Sequence, residues 1–351
     1  MATPLSSISA VLAAFLIATL GSTTLARAAE LPTDDCTGYL HVNWTIPSGV
    51  TLDELRALTL AACLGRTDVV QYWLQTLRPL GKPVEQLDSI AAEEFLDSPL
   101  EAAIRGGYAS TVAALLSVAS DRSAQSALTD AIEQGQLNIA LIALKSGHKL
   151  GDAPSEALWT AAKHGAAAFI APLVAAGANL NYSRERRTPL MLAIEQDDAA
   201  FARQLLDARA NVDALVLDDD LCEDVCCSQS TLQYSALMLA AKLGKLEMVD
   251  LLLSRGASSS LTTASLDNAL LNAAENGRTD IVAFLVRQPK IDLKRLGPKA
   301  LTLAEENEHL DIIEVLRHSG VTLGSRKRVA KISVDREHWH RKHCPGRAGS
   351  S

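Results

Sequence analysis

The densest collection of reactive side chains in this 351-residue chain is Asp218-Asp219-Asp220-Leu221-Cys222-Glu223-Asp224-Val225-Cys226-Cys227. Thiolates and carboxylates are metal ligands, yet a calcium loop needs alternating Asp or Asn, a central glycine and a distal glutamate, and this run has none of that order. As a zinc site it offers thiolates without a clear fourth ligand. In an exported chain a disulfide-stapled loop is the expected state; a solvated acidic loop and a metal or redox role are the alternatives. A second cluster, His338-Trp339-His340-Arg341-Lys342-His343-Cys344, holds imidazoles and a thiol suited to zinc or copper, but its neighbouring cations oppose a metal ion. It reads as a basic disordered tail, with metal binding and contact with an acidic partner or membrane surface as alternatives.

Six cysteines allow fifteen full pairings. Cys63, beside Gly65, reads as a small packed thiol, which leaves Cys36, Cys222, Cys226, Cys227 and Cys344 as disulfide candidates, and five cannot all pair. At least one bond is expected from the three cysteines of the insertion, reaching Cys36 or Cys344 if it leaves the loop. No nucleophile elbow, phosphate-binding glycine loop or H-E-x-x-H helix occurs, so no enzyme activity, cofactor or resident metal is expected. The sequons at Asn43-Trp44-Thr45 and Asn181-Tyr182-Ser183 matter only in a eukaryotic secretory setting.

The formal net charge of -8 argues against the body of the chain holding nucleic acid, because phosphate binding needs a basic face. Basic charge is concentrated after residue 324, where eight Lys or Arg face Asp335 and Glu337. Residues 1–28 read as an export signal: an apolar run from Ala10 to Leu20, too short to span a bilayer, precedes Ala26-Arg27-Ala28, with cleavage expected after Ala28. No Lys or Arg precedes the run, so the free N-terminus would supply the positive charge. The expected product is periplasmic in a Gram-negative source and otherwise secreted, with no transmembrane segment after signal removal.

The elements that would position any site repeat. Leu58, Leu100, Leu128, Leu158, Leu190, Leu237, Leu270 and Leu301 anchor eight copies, and three residues after every anchor stands an alanine: Ala61, Ala103, Ala131, Ala161, Ala193, Ala240, Ala273 and Ala304. A small, strongly helix-forming residue is required where helices approach so closely that a larger one would overpack. Seven residues after the anchor a glycine ends the helix in six copies, with Asp197 and Glu308 as exceptions. A second helix with a wider apolar stripe follows, and such hairpins must stack to bury a shared core. Residues 29–50 show no helical period and read as an irregular N-terminal cover. By subtraction the anchors lie 42, 28, 30, 32, 47, 33 and 31 residues apart, so the array over 51–323 carries long insertions near 77–97 and 214–233.

Thr188-Pro189-Leu190-Met191-Leu192-Ala193, Ser98-Pro99-Leu100, and the hairpin phrases Gly177-Ala178-Asn179-Leu180-Asn181 and Ala210-Asn211-Val212-Asp213 resemble the ankyrin repeats. The resemblance implies an all-α solenoid of about eight helix-turn-helix repeats that recognises an unidentified protein partner. The family histidine after the anchor leucine is replaced in all eight copies, from Thr59 and Glu101 to Trp159 and Thr302, so its hydrogen bonds are expected to be missing and packing to compensate. By resemblance the concave groove is lined by Arg105, Glu133, Lys163, His164, Glu195, Gln196, Lys242, Leu243, Glu275 and Asn276. A purely structural role for these charges is cross-repeat pairing, Arg105 with Glu133, Lys163 with Glu195 and Lys242 with Glu275, each exposed pair adding about 0.2–1 kcal/mol. The competing function is a metal- or redox-responsive envelope protein using Cys222, Cys226, Cys227 and the His/Cys tail.

Overall fold

The computed structural model describes residues 52–77, 98–218, 232–257, 269–289 and 291–322. The stretches read from the sequence as an export signal, an N-terminal cover, a first insertion and a basic tail lie outside these residues. The described chain forms two compact units, one up to residue 149 apart from 135–137, the other comprising those three and the residues from 150 onward.

Both units are pairs of antiparallel helices. In the first unit they are α1 (Leu52–Cys63), α2 (Thr67–Leu77), α3 (Pro99–Arg105), α4 (Ala109–Leu116), α5 (Asp121–Glu133) and α6 (Leu137–Lys145). Helices α1, α3 and α5 pack in one column, while α2 packs on α4 behind it. In the second unit α7 (Ala153–Lys163), a 3-10 turn (Ala167–Phe169), α8 (Ile170–Ala175), α9 (Pro189–Glu195) and α10 (Ala199–Asp207) precede a two-stranded ribbon. After it come α11 (Ala236–Leu243), α12 (Leu246–Ser254), α13 (Ala269–Glu275), α14 (Thr279–Leu285), α15 (Leu293–Glu306) and α16 (Leu310–His318). Helices α7, α9, α11, α13 and α15 form the inner column; α10, α12, α14 and α16 follow each other on the outside.

All eight anchor leucines and all eight alanines are buried, none more than 4% exposed. The alanine carbonyl also closes the turn: in seven copies it accepts the backbone N–H five residues on, as from Tyr108 to Ala103, Lys245 to Ala240 and His309 to Ala304. That bond needs a left-handed residue just before the donor. Glycine supplies it in most copies; Asp197 and Glu308 adopt the same conformation, with φ of 61° and 60°. The two exceptions in the sequence are therefore not exceptions in the backbone. Ser98, Thr188 and Ser235, all buried, cap α3, α9 and α11 by accepting an N–H from the third residue on.

Asparagines tie the hairpin phrases of the second unit together. Asn181 N–H donates to Asn179 Oδ1, Asn211 N–H donates to Asn181 Oδ1, and Asp213 N–H donates to Asn211 Oδ1. The exposed Asn181 of the second sequon thus serves as an acceptor between successive repeats.

The second insertion is flanked by two strands. Strand β1 (Leu215–Asp218) pairs antiparallel with β2 (Leu232–Ser235), Leu215 opposite Ser235, and the acidic cysteine-bearing run beyond Asp218 lies outside the described residues. The repeats on either side still stack: Arg203 pairs with Glu247 at 2.7 Å, Asp207 with Arg255 at 2.7 Å and Asp197 with Lys245 at 2.9 Å.

Cys63 corrects the sequence reading. It is disulfide-bonded, and since the other five cysteines all lie outside the described residues, so does its partner.

Turn chemistry and close packing separate cleanly in two substitutions. At Gly135 (φ +69°) an added Cβ meets nothing within 4 Å, whereas at Gly65 (φ +66°) it would lie 2.4 Å from Cδ1 of the Tyr108 ring. Gly135→Ala is expected to lose about 1 kcal/mol from left-handed strain alone, and Gly65→Ala at least twice that, measured by urea unfolding; equal losses would show that the ring does not seal the turn.

Candidate functional site

The ends of the first helices expose the residues that the resemblance places in the groove. In the second unit Lys163, His164, Glu195, Gln196, Lys242 and Glu275 are exposed, and Leu243 and Asn276 half-buried. Side chains from one repeat close the helix end of the one before. Gln196 Nε2 donates to the carbonyls of Ala162 and Lys163 at 3.0 and 2.7 Å. Arg278 Nε donates to Lys242 O at 3.0 Å, and His309 Nε2 lies 3.0 Å from Glu275 O. The carbonyls of Lys163, Lys242 and Glu275 lie in the last turns of their helices, so each contact adds a donor at a helix terminus while fixing the register of adjacent repeats. Gln196 and Asn276, whose amide donates to Asn272 O, are accordingly engaged within the wall of the site.

The expected pairing of Lys163 with Glu195 does not occur. Glu195 takes Arg187, and the Lys163 ammonium sits 5.7 Å from the centroid of the Trp159 ring. Trp159 occupies the family-histidine position and restores part of what its loss removes: its indole N–H donates across the stack to Arg187 O at 3.0 Å. Arg184 covers the same ring at 5.4 Å and pairs with Glu156. Arg184 and Arg187 bridge a tight turn in which Glu185 and Arg186 both have positive φ, the backbone of a two-residue hairpin. Sequence reasoning placed Lys163 and Glu195 in the site and Trp159 only at the histidine position, and it did not name Arg184 or Arg187. The signal was the placement of an aromatic at the histidine position, a repeat before Arg184-Glu185-Arg186-Arg187.

In the first unit Arg105 and Glu133, both exposed, line a cavity of about 270 Å³ together with Glu101, Ile104, Asp130 and Gln134. Glu101 also accepts the Ser98 N–H at 3.0 Å in a capping box. Burial, then the nearby Glu101 charge and more weakly Glu133, push the Asp130 carboxyl up to about 6, against a Ser126 hydroxyl bond at 3.3 Å that favours the ionised form. Asp130 was missed because it falls between the repeat positions that carry the pattern.

No group of three or more His, Cys, Asp or Glu among the described residues is arranged to hold a metal ion. Cys222, Cys226, Cys227 and the tail from 338 to 344, on which the metal or redox alternative depends, lie outside the described residues, as do Cys36 and Cys344 as disulfide candidates. No described helix is long and apolar enough to cross a membrane.

Comparison with known proteins agrees with this geometry. The family "Ankyrin repeats (3 copies)" matches residues 237–327, and the single-unit family "Ankyrin repeat" matches 185–215. Ankyrin repeat and KH domain-containing protein mask-1 of Caenorhabditis elegans is 28% identical over 197 residues, which are 55% of this chain and 7% of that protein. The chain therefore spans only a small part of that curated relative. Among solved structures, the ankyrin repeat domain of Bcl-3, described as a unique member of the IkappaB protein family, superposes with a TM-score of 0.50 at 24% identity. The match covers 62% of this chain and 92% of that one, and it shows the fold.

Asp130 gives a pH test. Below about pH 4 the folded and unfolded chains both hold its proton; between about 4 and about 6 only the folded chain does, so stability falls as pH rises, and above about 6 the loss is complete. Asp130→Asn is expected to be more stable than the parent at pH 7.5 by on the order of 1 kcal/mol, discounted for partial solvation. The gap should close by pH 4 in urea unfolding curves; a gap independent of pH would contradict the assignment.

Proposed function

We propose, on the premise that this chain carries ankyrin repeats, that it is an exported, non-catalytic scaffold that holds a protein partner along the exposed ends of its first helices. Ankyrin repeats indicate a protein–protein interaction scaffold, and proteins built of them are generally interaction modules without catalysis. The partner surface we assign comprises Lys163, His164, Glu195, Gln196, Lys242, Leu243, Glu275 and Asn276 in the second unit. In the first unit it comprises Arg105 and Glu133.

The observation that carries this reading is the set of cross-repeat bonds from Gln196, Arg278 and His309. They hold successive helix ends in one fixed spacing before any partner arrives. A surface already ordered loses less conformational freedom on binding, which leaves more of the contact energy as affinity. Charges of both signs on that surface favour a complementary protein over a polyanion.

Two features support export, to the periplasm of a Gram-negative cell or to the outside of another. One is the apolar run from Ala10 to Leu20 followed by Ala26-Arg27-Ala28. The other is the disulfide at Cys63, a bond that persists in oxidising compartments and is rare in the cytosol.

The test is affinity capture from the exported fraction with the parent chain and with Lys163→Glu/Glu195→Lys/Lys242→Glu, all three exposed. The parent should retain a specific protein and the variant, folded by circular dichroism, should bind it at least about tenfold more weakly. Equal retention by both chains overturns the groove assignment.

A further inference from the structure

We infer that the groove between the outer helices α14 and α16 is the seat of a second copy of this chain, the α16 of each copy lying antiparallel in the groove of the other. The groove encloses about 580 Å³ and is lined with apolar side chains from Ala283, Val286, Leu293 and Val315, all half-buried. Its two ends differ in charge. Asp311, in the first turn of α16, and Glu314, one turn on, make one end acidic; Arg287, just past α14, and His318, the last residue of α16, line the other.

Repeat position explains why this groove is open. Arg203 and Asp207 stand 13 and 17 residues after the anchor Leu190, and Glu247 and Arg255 stand 10 and 18 after Leu237, by subtraction. Those four side chains tie α10 to α12 through two ion pairs of 2.7 Å, Arg203 with Glu247 and Asp207 with Arg255. The same offsets from Leu270 and Leu301 give Ala283 and Arg287 on the α14 side, and Asp311 and Ser319 on the α16 side. One member of each pair is therefore missing. Asp311 faces an alanine, and Arg287 faces Ser319, whose hydroxyl turns back to donate to Val315 O at 2.8 Å. Among the described residues Arg287, Asp311 and Glu314 make no side-chain hydrogen bond or ion pair.

The order of charge selects the occupant. A groove acidic at one end and cationic at the other becomes complementary to itself after a half-turn about an axis normal to it, which is the geometry of an isologous dimer. A foreign helix would need the opposite charges at the same spacing, about 12 Å for the eight residues from Asp311 to Ser319; a second copy already carries them. Helix α16 is the last described helix and packs on α14 and α15. Laid antiparallel in the other copy's groove it makes a ridge-into-groove contact, with Asp311 and Glu314 of each copy against Arg287 and His318 of the other. None of these residues belongs to the surface assigned above to a protein partner, so either assignment can fail alone.

The experiment is sedimentation of the full chain from micromolar to submillimolar concentration, where the parent should pass from monomer to dimer. Asp311→Lys/Glu314→Lys makes both ends of the groove basic, and Arg287→Glu/His318→Glu makes both acidic. Each variant alone should dimerise at least about tenfold more weakly than the parent, and an equal mixture of the two should associate as the parent does. A parent that stays monomeric throughout overturns the proposal, as do variants that dimerise like the parent or a mixture that stays monomeric. If circular dichroism shows that a charge-reversed chain does not fold, Ala283→Arg/Arg287→Asp/Ser319→Arg decides instead, because it rebuilds across this groove the pairs that tie α10 to α12. That chain should remain a monomer; a parent-like dimer would overturn the proposal.

Discussion

Everything in this molecule depends on how closely neighbouring first helices can approach, and eight buried alanines set that distance. A methyl group three residues after each anchor leucine lets the columns α1, α3, α5 and α7, α9, α11, α13, α15 pack with their leucines fully covered. The same alanine supplies the carbonyl that terminates its helix, in seven of the copies. One residue type thus fixes both the spacing of the helices and the point at which each must turn back. The core needs few aromatics as a result, consistent with an aromatic content of 4%.

Packing alone does not set the register along the stack. The histidine that would hydrogen-bond between turns in related repeats is absent, yet its task is distributed over other side chains. Trp159 bonds to Arg187 O, Gln196 to the carbonyls ending α7, Arg278 to Lys242 O and His309 to Glu275 O. Asparagines join the hairpins at 179, 181 and 211. The bonds from Trp159, Gln196, Arg278 and His309, and that from Asn211 N–H to Asn181 Oδ1, each cross from one repeat to the next. The exposed ion pairs around the ribbon, such as Arg203 with Glu247, add little individually; their value lies in showing that a long insertion leaves the stack intact.

The repeat pattern made the fold legible because periodic alanines and turn glycines have no other common cause. The helix-ending position was legible even where the residue changed, since Asp197 and Glu308 take the glycine conformation. Side-chain partnership was far less so. Spacing suggested Lys163 with Glu195, but Arg187, three residues before the anchor of its repeat, reaches Glu195 first. An ion pair depends on rotamers and hairpin geometry that no period encodes. Asp130 escaped notice because its raised proton affinity comes from burial beside Glu101 and Glu133, a three-dimensional property. Cys63 was misread for a similar reason: its small size and helix-end position fit a packed thiol as well as half of a disulfide.

The functional reading follows from the same constraint. Helix ends locked at fixed spacing present a surface whose shape is settled in advance, and residues 185–215 and 237–327 within it match ankyrin-repeat families. The claim beneath this account is that the alanine column, above all Ala240 at the centre of α9, α11 and α13, sets the approach of the helices. Ala240→Leu, followed by urea unfolding with hydrogen exchange, tests it most directly. The account predicts a loss of about 1–3 kcal/mol together with faster exchange in all three helices; a parent-like midpoint with exchange unchanged in α9 and α13 would contradict it.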